Sequence, residues 1–129
     1  MITTDPIRVT SSLISDSSVP YPDTGETLWN SGTNYVAGAT VSYQIDGVYH
    51  RFESKAGSNL NHIPVAYPGD ATNAWWIDLG YVNRLSAFQL ERNTQTLTAS
   101  PYTVVVNSGK RVGIIGIGNI QADSVKVEI

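Results

Sequence analysis

Apolar and polar residues alternate most cleanly over Val41-Ser42-Tyr43-Gln44-Ile45, with the period of two that marks a half-buried strand. Asp46-Gly47 follows, a pair able to take the left-handed conformations of a two-residue hairpin turn. Residues 48–54 return as a second strand, which makes this the best-marked hairpin in the chain. Residues 55–72 are rich in Gly, Asn and Pro and read as a long loop, and residues 74–79 read as a short closing strand.

The flanks are patterned differently. Ile7-Arg8-Val9-Thr10 is a candidate strand, followed by a polar stretch over residues 11–19. Pro20-Tyr21-Pro22 then predicts a stiff, extended segment, either an arm packed along the next module or a free tail. Beyond residue 83, Leu85-Ser86-Ala87-Phe88-Gln89-Leu90 fits a strand or a short helix equally. Tyr102-Thr103-Val104-Val105-Val106 predicts a strand by its β-branched content. Asn107-Ser108-Gly109-Lys110 predicts a turn, and residues 111–118 a further strand with three glycines. Ser124-Val125-Lys126-Val127-Glu128-Ile129 alternates again, and a sequence stopping inside so regular a strand suggests a longer parent chain. There is no internal repeat and no long helical pattern. The expected fold class is all-β, in three parts: an N-terminal strand and Pro-rich arm (1–24), a small aromatic module (25–82) and a β-sandwich-like region (83–129).

Composition narrows the function. A chain of 129 residues that is 41% hydrophobic can bury a core, while 15% charged residues and a net charge of −3 offer no basic surface for phosphates. Nucleic acid is therefore not an expected partner. The absence of cysteine excludes disulfides and thiolate zinc sites. Met1-Ile2-Thr3-Thr4-Asp5-Pro6 lacks the basic start and apolar run of a signal peptide, and no stretch approaches the roughly 20 apolar residues of a membrane-spanning helix.

Candidate catalytic groups are sparse. His50 and His62 are the two histidines, and no serine lies in a Gly-x-Ser-x-Gly elbow, so a Ser-His-Asp triad has no local signature. Glu53 and Asp78 fall on neighbouring predicted strands and are the one carboxylate pair that could approach for glycosidase chemistry. Gly113-Ile114-Ile115-Gly116-Ile117-Gly118 has the wrong order for a dinucleotide loop and is followed by a strand pattern. No spacing supports a metal site, and no cofactor is expected.

The rings are the remaining signal. All three tryptophans, four of the seven tyrosines and both histidines lie between Trp29 and Trp76. Such rings either form the core of a very small module or stand outside it as a binding surface. Strand alternation turns Trp75 and Trp76 to opposite faces, so one of them is a candidate for exposure and for stacking on the flat C–H face of a sugar. Trp75 is the first candidate, with Tyr43 and Tyr67 behind it. Trp29, Tyr35 and Trp76 are assigned to the core. The competing expectation buries both members of the Trp75-Trp76 pair.

The order Trp29-x5-Tyr35-x2-Gly38-x2-Val41-x-Tyr43-x5-Tyr49, then Asn61-x2-Pro64 and a closing Trp76, resembles the small chitin- and cellulose-binding modules of the family 5/12 type. The resemblance covers about residues 27–80 and implies a three-stranded β module, with Trp29, Tyr35, Val41, Trp76 and either Tyr49 or Phe52 as scaffold. The exposed aromatic pair which that family carries after its second strand is replaced here by Glu53-Ser54-Lys55-Ala56-Gly57-Ser58.

A second, longer resemblance runs from Ile7 to Ile129. Val9-Thr10-Ser11-Ser12-Leu13, Pro22-Asp23-Thr24-Gly25-Glu26, the junction Trp76-Ile77-Asp78-Leu79-Gly80-Tyr81-Val82-Asn83-Arg84, Asn93-Thr94-Gln95-Thr96 and Asp123-Ser124-Val125 are similar to the N-terminal region of virion proteins from tailed phages and prophages. It implies a non-catalytic tail or baseplate component, oligomeric in the virion. Its partners would be other tail proteins and host surface polysaccharide, and it would be delivered by lysis rather than secretion. A purely architectural virion protein and a fragment of a glycan-degrading enzyme are the alternatives.

Overall fold

The structure is a computed structural model that describes residues 7–22, 26–65, 74–89, 94–99, 101–112, 115, 121 and 124–128. Its regular structure is mostly strand with almost no helix. The strands are β1 (Ile14–Ser17), β2 (Thr27–Leu28), β3 (Asn34–Tyr35), β4 (Thr40–Ile45), β5 (Val48–Ser54), β6 (Asn59–Leu60), β7 (Trp76–Tyr81) and β8 (Val104–Val106), with one short helix, α1 (Asn83–Ser86). No helix among the described residues is long and apolar enough to cross a membrane.

The expected hairpin forms where the alternation placed it. β4 and β5 pair antiparallel from Thr40↔Glu53 to Ile45↔Val48. Asp46 and Gly47 both take positive φ, 49° and 80°, which a two-residue turn matched to the strand twist requires. β7 adds to the far edge of β5, through Ser54↔Trp76, Glu53↔Ile77 and Phe52↔Asp78. Past Asp78 the register shifts, and Tyr81 pairs with His50. Gly80, at φ 90°, takes up the extra residue on β7 and makes a bulge. The sequence implied three strands here. The sheet has four, because β2 lies parallel to β4 with Thr27↔Val41 and Leu28↔Ser42, in the order β2-β4-β5-β7. Two residues bounded by turns carry too little periodicity to announce a strand.

One core lies on a face of this sheet. Tyr35, Val41, Phe52 and Trp76 are buried together, with Trp29, Tyr43 and Trp75 packed around them. Phe52 lies in this core, whereas Tyr49 packs against the second one. Tyr35 and Trp76 meet edge to face with centroids 5.3 Å apart, and Trp29 and Tyr43 at 5.6 Å, geometries that aromatic quadrupoles favour.

A second core gathers Ile14, Val48, Val82 and Leu85, flanked by Val9, Tyr21, Tyr49, Tyr81, Phe88 and Val104. It depends on a pairing between the two flanks of the chain. β1 and β8 form an antiparallel ladder with Ile14↔Val106 and Ser17↔Val104, extended by Asn107 N–H to the Leu13 carbonyl at 2.7 Å and Ser18 N–H to that of Thr103 at 2.9 Å. The N-terminal segment therefore packs as an arm. Ser11 N–H donates to the Gly47 carbonyl at 3.0 Å, and the Tyr21 ring lies 4.5 Å from that of Tyr49.

Three local expectations change. Residues 7–10 are not a strand, and the arm's strand falls instead on Ile14–Ser17, inside the stretch read as polar, because β8 supplies a partner there. The ambiguous segment after residue 83 opens as the helix α1, which buries Leu85. Asn83 fastens the following chain to it, donating from Nδ2 to the Leu97 carbonyl and accepting from Leu97 N–H, both at 2.8 Å. Residues 124–128 alternate but pair with no strand among the described residues and lie exposed; Lys126 and Glu128 form an ion pair among themselves. Alternation alone does not make a strand without a ladder partner. Most of the strand expected over 111–118 lies outside the described residues, and residues 111, 112 and 115 are not in a strand.

Candidate aromatic binding site

Trp76 opens β7 with its ring in the core, and Trp75, just before the strand, packs against the edge of the same core. Trp75 is half-buried and lies flat on His62, with ring centroids 3.5 Å apart and an interplanar angle of 10°. The pair is held from behind by Asn59, which is wholly buried on β6. Asn59 Nδ2 donates to the Trp75 carbonyl at 3.1 Å and to Ser54 Oγ at 3.0 Å, and its Oδ1 faces His62 Nδ1 at 3.2 Å. Lys55 N–H also donates to the Trp75 carbonyl, at 2.9 Å. Trp76 Nε1–H donates to the His62 carbonyl at 2.8 Å, so the core indole and the outer stack are tied to one loop. Leu60 and Ile63, adjoining in that loop, are exposed.

The three sequence candidates are not gathered into one platform. Trp75 lies at the end of β5 near Ser54, whereas Tyr43 pairs with His50, four residues along the same strand. That separation is about 13 Å at the usual rise per residue. Tyr43 packs edge-on against Trp29 and flanks the core. Tyr67 lies outside the described residues. Trp29, assigned to the core by the sequence, is only partly buried at its edge, and its Nε1 is buried with no acceptor among the described residues.

Sequence reasoning missed the two residues that shape the Trp75 site. Neither His62 nor Asn59 stands out in the sequence, because a polar residue in a turn-rich loop carries no periodic signal. Asn59 becomes legible only once Tyr35↔Asn59 pairing draws β6 against β3.

The carboxylate pair expected from neighbouring strands is not assembled. Glu53 stands opposite Ile77 and Asp78 opposite Phe52, so the two acids occupy alternate pleat positions and project to opposite faces. Asp78 is instead engaged by His50, Nδ1 to Oδ2 at 3.0 Å, and its Oδ1 accepts Gly80 N–H at 2.8 Å. The base-and-orienter half of a triad is thus present in outline. The His50 ring, however, packs against Tyr81 at 4.9 Å and Phe52 at 6.1 Å, and among the described residues no serine hydroxyl bonds to it.

On the other face of the sheet, Glu26 is a buried carboxylate. It accepts from Ser42 Oγ and Arg51 Nε, both at 2.9 Å, and locks the chain entering β2 across the hairpin. Leu28, Ile77 and Leu79 are exposed on this sheet, at 51%, 41% and 46%.

Fold and site together define a mostly β-stranded protein with a small aromatic core and one buttressed, half-exposed indole. Comparison with protein-family models, with curated proteins and with solved structures finds no match.

Proposed function

We propose that the protein is a non-catalytic structural component of a phage tail or baseplate whose aromatic module touches host surface glycan. In this reading, residues 25–82 are a module of the family 5/12 type, residues 1–24 its arm, and residues 83–129 part of a β-sandwich. It is made in the host cytoplasm, assembles as an oligomer with other tail proteins and leaves in the virion. The observation that supports the glycan contact is the Trp75–His62 stack. A pre-ordered indole beside polar loop residues loses little conformational freedom on binding, and its π face suits the C–H face of a pyranose. The platform differs from the one the resemblance implies: it sits before the closing strand instead of after the second.

Sedimentation with intact host cells and with insoluble polysaccharide tests this, wild type beside Trp75→Ala and His62→Ala. Binding by wild type, lost in variants that keep their melting temperature, is the expected result. No binding by the wild type overturns the glycan contact.

The second reading is architectural, and the exposed Leu28, Ile77 and Leu79 favour it. These aliphatics suit a protein interface better than a sugar. Sedimentation velocity that shows concentration-dependent assembly, abolished by Leu79→Lys, is its expected outcome.

A further inference from the structure

Between the two cores, one face of the sheet carries a row of half-buried rings. Val48 belongs to the second core and Phe52 to the first, and His50 stands between them on the same face of β5. The ladder sets Tyr43 of β4 opposite His50 on one side and Tyr81 of β7 opposite it on the other. Tyr43 leans edge-on against Trp29, with centroids 5.6 Å apart. The Tyr81 ring meets the imidazole edge to face at 4.9 Å, and Ser86 Oγ of α1 donates to the Tyr81 carbonyl at 3.3 Å. Directly opposed residues on neighbouring strands hold their Cβ atoms about 5 Å apart, so the three side chains line up across the sheet.

The polar ring atoms of this row are open. Tyr43 Oη, His50 Nε2 and Tyr81 Oη make no hydrogen bond among the described residues, and none of the three is among the enclosed polar atoms. The His50 and Asp78 side chains keep 14% and 28% of their surface accessible. Asp78 fixes the imidazole, whose Nδ1 lies 3.0 and 3.2 Å from the two carboxylate oxygens. A carboxylate only accepts, so Nδ1 carries the proton, and Nε2 of the neutral ring is left as an acceptor. Gly80 N–H donates to Asp78 Oδ1 at 2.8 Å, which holds the carboxylate in turn. The row thus offers one oriented acceptor and two hydroxyls able to donate or accept, set among apolar ring surfaces. It contains no arginine or lysine to hold an anion.

We propose that this row is a second sugar-binding site, which takes hydroxyl groups of a neutral pyranose on His50 Nε2, Tyr43 Oη and Tyr81 Oη. A pyranose presents alternating hydroxyls around a ring with apolar C–H faces, the combination that rings carrying a few fixed polar atoms complement. The choice of ligand class rests on the glycan reading. The site itself is separate from the Trp75 stack, which lies near Ser54, four residues along β5. An organic ammonium ion is the competing occupant, drawn by the ring faces and the Asp78 charge.

The test follows the ¹H–¹³C resonance of the His50 Cε1–H group in the full chain, identified by its loss in His50→Gln. The probes are glucose, galactose and N-acetylglucosamine, beside tetrahydropyran, which has the ring without the hydroxyls, and tetramethylammonium. At least one sugar is expected to shift the resonance saturably, while tetrahydropyran and tetramethylammonium leave it in place. Tyr43→Phe and Tyr81→Phe remove hydroxyls that bond to no described residue, so each should keep the melting temperature and weaken sugar binding by roughly threefold to tenfold. Trp75→Ala should leave the His50 shift unchanged. A saturable shift in a protein that does not sediment with polysaccharide supports this site and removes the Trp75 one. Sedimentation by a protein whose His50 resonance no sugar moves overturns this site and leaves the Trp75 one standing. An equal shift with tetrahydropyran or tetramethylammonium, or wild-type affinity in both tyrosine variants, also overturns it.

Discussion

The core of Tyr35, Val41, Phe52 and Trp76 and the core of Ile14, Val48, Val82 and Leu85 share strand β5, yet their residues come from different distances along the chain. The first is drawn from the aromatic module alone. It is made of large rings in edge-to-face contact, and its hydrogen bonds reach out to hold a surface loop. The second is mostly aliphatic and draws on the arm, the hairpin and the segment around α1. It adjoins a cleft. Rings of fixed shape fill a small volume with few residues, whereas an aliphatic cluster assembled from three segments needs a ladder and side-chain ties to close it. Here those ties are the β1–β8 pairing and the Asn83–Leu97 bonds.

The largest test of this contrast is Trp76→Ala. It removes the central ring of the first core and should destabilise the protein by about 3–5 kcal/mol in urea denaturation. It also frees the His62 carbonyl, so the Trp75–His62 stack should loosen. Leu85→Ala in the second core should cost about 2–3 kcal/mol, since part of the void can merge with the existing cleft. If the cores form one cooperative unit, tryptophan fluorescence and far-ultraviolet dichroism will give coincident transitions in both variants. Non-coincident transitions in Leu85→Ala, with fluorescence lagging, would show that the aromatic core outlasts the other.

A smaller effect is expected at Asn59. Asn59→Ala leaves Ser54 Oγ and the Trp75 carbonyl each short of a donor, for a loss of about 1–3 kcal/mol. The accompanying signature is increased mobility of the Trp75 indole in fluorescence anisotropy.

The smallest effect is in alkali. Tyr21 and Tyr102 are both raised above the ordinary tyrosine pKa, each chiefly by burial. Above about pH 10 the unfolded chain releases these protons while the folded one keeps them. The folded state then binds more protons, so stability falls as pH rises, having been fully present below pH ~10. Tyr21→Phe should remove part of that alkaline slope and leave the neutral-pH midpoint nearly unchanged. An identical slope in the variant would mean that the second core does not shield the ring.

Local pattern was enough for much of the first core. The β4–β5 hairpin, its Asp46-Gly47 turn, the closing strand and the inward turn of Trp76 were legible because period-two alternation and turn chemistry act over a few residues. The expected opposition of Trp75 and Trp76 was not legible in the same way: Trp75 precedes β7 and packs against the edge of the same core. The flanks were less legible. The arm's strand was placed on Ile7-Arg8-Val9-Thr10 rather than Ile14–Ser17, since a polar segment such as Ser15-Asp16-Ser17 becomes a strand only through a partner. Residues 124–128 show the converse, clean alternation without a ladder among the described residues.

What the sequence determined by itself was the mostly stranded class, the hairpin and the choice of rings for the aromatic core, because these depend on near neighbours and on burial of large apolar surface. Tertiary structure decided the rest: that β8 completes the arm, that Gly80 shifts the register and brings Asp78 to His50, that Asn59 buttresses the Trp75–His62 stack, and that Arg84 and Tyr21 line a common cleft. Each of these joins residues far apart in the chain. The hydrogen bond or contact that fixes each one exists only after loop closure has brought the two segments together, and no local period records it.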